Sequence, residues 1–207
     1  MKIKLTRPEL KTQRDALRRF ERYLPMLKLK QQQLQAMVRS AQGALRVARK
    51  HTEAARVKVA SSRAILEDNP GLDLATLAKP ESVETHIDNV AGVKIPVFDS
   101  VTFVPASYSL FSTPVWVDGV LADQRALSRC EVEFEILQTQ FNLLERELTK
   151  IVQRVNLFDK VKIPDCKEAI RRIRIHLGDE MTAGVGRAKI AKSKLDAKTR
   201  AIQEASA

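Results

Sequence analysis

The sequence predicts an all-α protein: a long, antiparallel, two-helix, left-handed coiled coil with a small insert that contains a β-hairpin. Three observations carry that expectation. Between Leu127 and Phe158 two apolar series recur at heptad spacing, Leu127, Phe134, Phe141, Leu148 and Val155 in one, and Cys130, Leu137, Leu144, Ile151 and Phe158 in the other. A thinner series of the same period fills the N-terminal third, and the segment between the two collects turn residues and aromatics. Composition agrees: of 207 residues 5% are aromatic, only 7 are glycine, and 29% are charged beside 44% hydrophobic. That balance suits amphipathic helices with a narrow apolar stripe better than a packed globule.

The first element, a long helix within residues 1–66, has a clear start. In Thr6-Arg7-Pro8-Glu9 the threonine is a cap, the proline fits a first turn, whose N–H needs no partner, and Glu9 completes a capping box. Its seam reads Ile3, Leu10, Leu17, Leu24, Gln31, Val38, Leu45, Thr52 and Val59 in one series. The other is Gln13, Phe20, Leu27, Leu34, Ala41, Ala48, Ala55 and Ser62. The seam thins toward alanine, which lets helix axes approach, and the polar seam residues fix register at some cost in stability. Pro25 lies inside the pattern and is expected to bend the helix, because it removes one backbone bond.

Asn69-Pro70-Gly71 stops this helix and opens an insert over 67–120. Val93 to Phe98, then Asp99-Ser100, then Val101 to Val104 reads as a short hairpin, with Pro96 suited only to an edge strand. Phe98, Phe103, Tyr108, Phe111 and Trp116, five of the chain's ten aromatics, fall here. So small a segment cannot bury them all, so some are expected to face a helix pair or another subunit, and together they are the candidate subunit interface.

The second long helix, over 121–177, has acidic and basic residues between its seam positions and neither proline nor glycine from Leu127 to Phe158. Its 3.5-residue period calls for a left-handed partner. After Phe158 the register slips by about one residue, and a new stripe follows: Ile163, Cys166, Ile170, Ile173 and Leu177, with Pro164 at the slip. In residues 178–207, Gly178, Gly184 and Gly186 weaken any helix, and a basic tail anchored only by Ile190 and Leu195 is expected to be a frayed helix unless a partner holds it. Helices of about 60 residues extend roughly 90 Å at 1.5 Å per residue, and pairing them antiparallel brings both termini to one end.

Little here suggests chemistry. His51, His86 and His176 have no cysteine or histidine at metal-ligand spacing. Cys130 and Cys166 lie on apolar stripes, so they read as packed thiols, and their separation fits a reducing compartment. Gly184-Val185-Gly186-Arg187-Ala188-Lys189 follows no strand and lacks the Gly-Lys-Ser/Thr ending of a phosphate loop. No apolar run reaches the roughly 20 residues of a membrane span, and the first residues lack the apolar core of a signal peptide, so a cytoplasmic location is expected.

The net charge of +11 is uneven: residues 1–66 hold 17 basic and 4 acidic side chains, 67–120 hold 2 and 8, and 121–207 hold 17 and 13. Basic ends around an acidic middle imply different partners at the two ends of an elongated object. The first helix, with Arg14, Arg18, Arg19, Arg22, Lys28, Lys30, Arg39, Arg46, Arg49, Lys50, Arg56, Lys58 and Arg63, also permits a second reading, a basic coiled-coil protein that binds nucleic acid. Against it, Tyr23 is nearly the only aromatic available for stacking among these bases.

Four stretches carry a family resemblance: Leu5-Thr6-Arg7-Pro8-Glu9-Leu10; Leu27-Lys28-Leu29-Lys30; Asn89 to Pro96 (Asn-Val-Ala-Gly-Val-Lys-Ile-Pro); and Arg154-Val155-Asn156-Leu157-Phe158 followed by Ile163-Pro164. In this order they resemble the D subunit of V-type and archaeal-type (V/A) rotary ATPases and ATP synthases. Two departures, Tyr23 to Lys28 in place of a Gly-His-x-Leu-Leu-Lys-like stretch and Gly178 to Gly186 in place of a run rich in Glu, Arg and Phe, point to a divergent bacterial branch. The resemblance implies a non-catalytic central rotor stalk that passes torque between the catalytic hexamer of A and B subunits and the membrane ring. It implies as partners those two subunits, the F subunit beside the insert and the subunit that couples to the ring. It implies no cofactor, no metal, no small-molecule substrate, no nucleic acid and no insertion into the inner membrane to which the complex is peripheral. The seam residues expected to hold the shaft are Leu10, Leu17, Phe20, Leu24, Leu27, Leu34, Leu127, Phe134, Leu137, Phe141, Leu144, Leu148, Ile151, Val155 and Phe158.

Overall fold

The computed structural model describes residues 4–62, 73–108 and 113–205, with side chains through Thr199. Ile3, the Asn69-Pro70-Gly71 stop, Arg63 and Phe111 lie outside the described residues. In chain order the elements are helix α1 (Arg7–Ser61), a short helix α2 (Leu74–Leu77), strands β1 (Pro80–Val90) and β2 (Val93–Phe103), helix α3 (Trp116–Asn156), a π-helical turn (Leu157–Lys162) and helix α4 (Ile163–Ala205). The fold is a mostly helical coiled coil with one small antiparallel sheet. Its contacts divide into two compact units, one from Met1–Lys28 with Gln153–Ala207 and one from Leu29–Val152.

In the first unit α1 runs antiparallel to the π-turn and α4. Lys28 reaches Asp159 at 3.2 Å, while Glu21, nearer the start of α1, meets Lys167 at 3.6 Å. In the same unit the Phe20 and Phe158 rings lie 5.0 Å apart. The α4 stripe is closed to solvent at Ile163, Cys166, Ala169, Ile170 and Ile173, the last fully buried. Facing it, Leu10, Gln13, Leu17, Phe20, Leu24 and Leu27 are half-buried. The ion pairs have side chains about half exposed, so each is worth only about 0.2–1 kcal/mol. The apolar stripe therefore supplies most of the cohesion.

The second unit repeats the arrangement with α1 against α3. Leu34 is fully buried, Leu144 and Ile151 nearly so, and Leu127, Phe134, Leu137, Phe141 and Leu148 are half-buried. Thr52 is the one buried polar residue among those described. Its hydroxyl donates to Ala48 O at 3.0 Å in its own helix or to Cys130 O across the pair at 3.3 Å, so the polar seam position is satisfied rather than orphaned. Arg56 and Glu131 pair beside it at 2.9 Å.

The one-residue slip after Phe158 has a structural counterpart. Across Leu157–Lys162 the backbone is π-helical, and the Ile163 N–H bonds to Phe158 O, five residues back rather than four. A π-turn absorbs one extra residue while keeping the helix axis going. The stripe therefore returns to the same face at Ile163, Cys166 and Ile170 instead of rotating off the seam. Pro164 sits just inside α4, where the widened ladder relieves the clash a proline makes with the carbonyl four residues back.

Several local expectations need correction. The hairpin turn is at Ala91-Gly92, where both residues have positive φ (52° and 81°) and Val90 faces Val93. A two-residue turn of that handedness matches strand twist, and glycine adopts it without strain. Asp99-Ser100 lies within β2 at a register shift, where Glu84 faces Ser100 and Thr85 faces Phe98; the polar pair marks a β-bulge, which needs an extra residue just as a turn does. The Glu9 carboxylate accepts from Gln13 Nε2 at 2.8 Å, one turn farther into α1. Helix α3 starts at Trp116, ahead of position 121; Pro25 lies inside α1, as its place in the pattern implies. Helix α4 continues through Gly178, Gly184 and Gly186. At about 1 kcal/mol each, these glycines are spaced among good helix formers, and the tail is helical as far as Ala205.

Burial pushes both thiols, Cys130 and Cys166, above the usual cysteine range. Because the raised value favours the neutral thiol over the reactive thiolate at neutral pH, alkylation by iodoacetamide at about pH 7.5 is expected to be slow in the native protein and fast after unfolding, as read by mass spectrometry. Leu144, 3% exposed, is expected to cost about 2–5 kcal/mol on replacement by alanine. Leu195, 65% exposed, should change stability by less than about 0.5 kcal/mol on the same substitution. Denaturant melts of the two variants check the pair.

Candidate functional site

The insert is built onto α3, and the ties between them run through polar side chains. Arg125 donates from Nε to Leu77 O at 3.2 Å and from Nη2 to Val104 O at 2.6 Å, and its guanidinium lies over the Phe103 ring, 5.4 Å from the centroid. One helical turn later Arg129 stands over Phe98 at 5.9 Å, and farther along Gln140 Nε2 donates to Pro96 O at 2.5 Å. Strand β2 is therefore fastened to α3 at three points along its length. At the hairpin tip, a Cβ added to Gly92 would lie 3.4 Å from Lys30 Nζ on α1, an ordinary contact with the end of a flexible side chain, so the positive φ rather than crowding is what favours glycine there.

A second cluster joins the ends of the insert. Leu74, Ala78, Val117, Val120 and Leu121 form a small buried core, against which Leu77, Ala106, Tyr108 and Trp116 pack. The Tyr108 hydroxyl donates to Asp118, and that bond to a carboxylate raises the tyrosine above its ordinary pKa. Asp73 caps α2, accepting from the Thr76 hydroxyl at 2.5 Å and the Thr76 N–H at 3.1 Å, which lowers its carboxyl below the usual range. The four described aromatics of the candidate interface are thus half-buried within their own unit, Tyr108 and Trp116 in this core and Phe98 and Phe103 beneath arginines.

What the insert leaves open is different. Nearly every residue of β1 is exposed, Ile87 at 72%, and Val115, just before α3, is 97% exposed. Across the hairpin His86 Nδ1 and Asp99 pair at 2.7 Å, and Ser100 donates to Glu84 at 2.7 Å. Periodicity could not single out Arg125, Arg129 or Gln140, because they flank the heptad seam rather than occupy it. The exposure of Val115 likewise depends on where the chain turns into α3.

Along α1 the basic residues Arg14, Arg18, Arg19, Arg22, Arg39, Arg46, Arg49, Lys50 and Lys58 are exposed, opposite the buried stripe. Apolar residues share that outer surface: Tyr23, Met26, Leu29, Met37, Val47 and Val57 on α1, and Ile175, Met181, Val185, Ile190 and Leu195 on α4. Among the described residues there is no cluster of three or more His, Cys, Asp and Glu side chains that could hold a metal, and no helix long and apolar enough to cross a membrane.

Comparison with known proteins gives one answer over nearly the whole length. Residues 9–193 match the family model for the ATP synthase D subunit. The D subunit of the V-type ATP synthase of Borreliella burgdorferi is 40% identical over 199 residues, covering 96% of this chain and 98% of that protein. The V-type ATP synthase D subunits of Chlamydia pneumoniae and Chlamydia caviae are 32% and 34% identical, over 95% and 93% of this chain and 94% and 93% of theirs. With antiparallel helices, a strapped-on hairpin and a match that spans almost every element, the chain belongs to the family of ATP synthase D subunits.

Proposed function

We propose that the chain is the central rotor stalk of a V/A-type ATPase or ATP synthase, transmitting torque between the catalytic A/B hexamer and the membrane ion-translocating ring without an active site of its own. The observation that carries this reading is the near full-length kinship to the D subunits of V-type ATP synthases. The design of the chain supports it. A stalk must resist twisting, and the buried stripe between antiparallel helices gives stiffness without bulk. It must also turn inside a cavity, and an outer surface of lysines and arginines holds weak, exchangeable contacts with acidic surroundings instead of a fixed bond. It needs no cofactor, metal, small-molecule substrate or nucleic acid. It acts in the cytoplasm, peripheral to the inner membrane.

The residues near both termini, in α1 and α4, are the part on which A and B push as they close in sequence during hydrolysis; during synthesis the torque runs the other way. The insert is the surface for the F subunit or for the subunit that couples to the ring. The exposed Ile87 on β1, the exposed Val115 and the half-buried Trp116 at the start of α3 support that role, since apolar and aromatic side chains are what the core of an interface buries.

Two outcomes are expected. Expressed with the A, B and F subunits of its own host, the tagged chain should enter one complex at one copy per catalytic hexamer and change its ATPase rate; size exclusion and an ATPase assay read this, and failure to associate contradicts the proposal. The chain's single tryptophan, Trp116, should shift its emission when the purified F subunit or the coupling subunit is added, and Phe98→Ala should weaken that binding by about 1 kcal/mol or more. No response to either subunit would remove the insert from the interface.

A further inference from the structure

Within the unit formed by the start of α1 and the end of the chain, both helices break their hydrogen-bond ladders at the same level. Pro25 lies inside α1, so Glu21 O receives no bond from a residue four ahead. Across from it, the π-turn Leu157–Lys162 replaces the ordinary ladder, and Pro164 leaves Lys160 O without its usual donor. That these defects face one another follows from the contacts bracketing Pro25: Phe20 with Phe158, Glu21 with Lys167, and Lys28 with Asp159. A break in one helix is splinted by an intact neighbour. Opposed breaks have no splint.

We infer that this level is a compliant joint, the place at which the helix pair yields first to bending and twisting. The contacts that hold it are of the kind that slide. Lys28–Asp159 and Glu21–Lys167 are surface ion pairs with side chains 47–60% exposed, and the tilted ring contact (52° between planes) tolerates rotation. On either side the pair is gripped instead by buried aliphatics, Val155 before the turn and Ile163, Ile170 and Ile173 after it. In a torque-carrying shaft, such a joint lets load build up as local twist before a step.

The sequence also shows how to remove the joint without disturbing the seam. The downstream stripe at Ile163, Cys166, Ile170, Ile173 and Leu177 is one residue out of the upstream heptad, so deleting the exposed Lys160 restores one unbroken 3.5-residue pattern and converts the π-turn to α-helix. Combined with Pro25→Ala and Pro164→Ala, this gives a healed variant.

The test is hydrogen–deuterium exchange followed by mass spectrometry on the full chain, a readout that does not require the motor and therefore fails or succeeds apart from the rotor reading. In the unaltered chain, amides in 22–29 and 160–167 should exchange about tenfold or more faster than those in 134–151, and healing should remove most of that difference while leaving 134–151 unchanged. Pro25→Ala alone, which keeps the π-turn, should slow exchange mainly in 22–29, so the proposal stays testable if the triple variant fails to fold. Exchange at the joint already as slow as in 134–151, or unaltered by healing, would overturn it.

Discussion

A pair of helices has no third layer to cover its apolar stripe, so its cohesion depends on the two stripes meeting residue by residue. Each buried position contributes through a narrow contact, and one residue out of step carries everything beyond it onto the solvent face. The chain holds that register in three ways. Leucine, isoleucine and phenylalanine fill the α3 and α4 side of the seam, Thr52 satisfies its hydroxyl within its own helix or across the pair, and the single extra residue after Phe158 is taken up by a π-turn. Without that turn, Ile163, Cys166, Ile170 and Ile173 would face water and Lys162, Asp165 and Arg172 would face α1.

The seam also explains how work is divided between the rest of the residues. Because cohesion sits on a narrow stripe, the remainder of each helix is free to carry charge, and α1 uses it for a dense set of exposed arginines and lysines. The insert follows a different principle. Its core of Leu74, Ala78, Val117, Val120 and Leu121 is small, so Arg125, Arg129 and Gln140 tie β2 to α3 by hydrogen bonds and ring contacts. Such ties are directional, which keeps a hairpin with an almost fully exposed first strand at a fixed place on α3.

What could be read from the sequence was what periodicity determines. The heptads from Leu127 to Phe158, the one-residue slip and the thinner α1 series each depend on spacing alone, and spacing carries directly from sequence to backbone. Features set by competition between local and tertiary effects were harder. Asp99-Ser100 looks like a turn because bulge and turn favour the same polar residues, and the true turn hid in Ala91-Gly92, where an alanine takes a positive φ. The glycines of α4 weaken a helix one by one, while the surrounding alanines, lysines and arginines favour it, and that balance left the extent of α4 open in the sequence. In the insert, the aromatic residues signalled importance, while the residues that place them, Arg125 above all, carry no one-dimensional signature.

A stalk that transmits torque must turn. With Ile87→Cys, an exposed hairpin position, in a chain whose Cys130 and Cys166 are replaced by serine and alanine so that biotin-maleimide labels only the new thiol, the complex with the A, B and F subunits can be fixed to a surface by its catalytic subunits and given a bead on the stalk. ATP should drive unidirectional rotation of the bead that stops when ATP is removed. Steady ATP hydrolysis by complexes that contain the labelled chain, with beads that only fluctuate about one angle, would contradict the rotor reading.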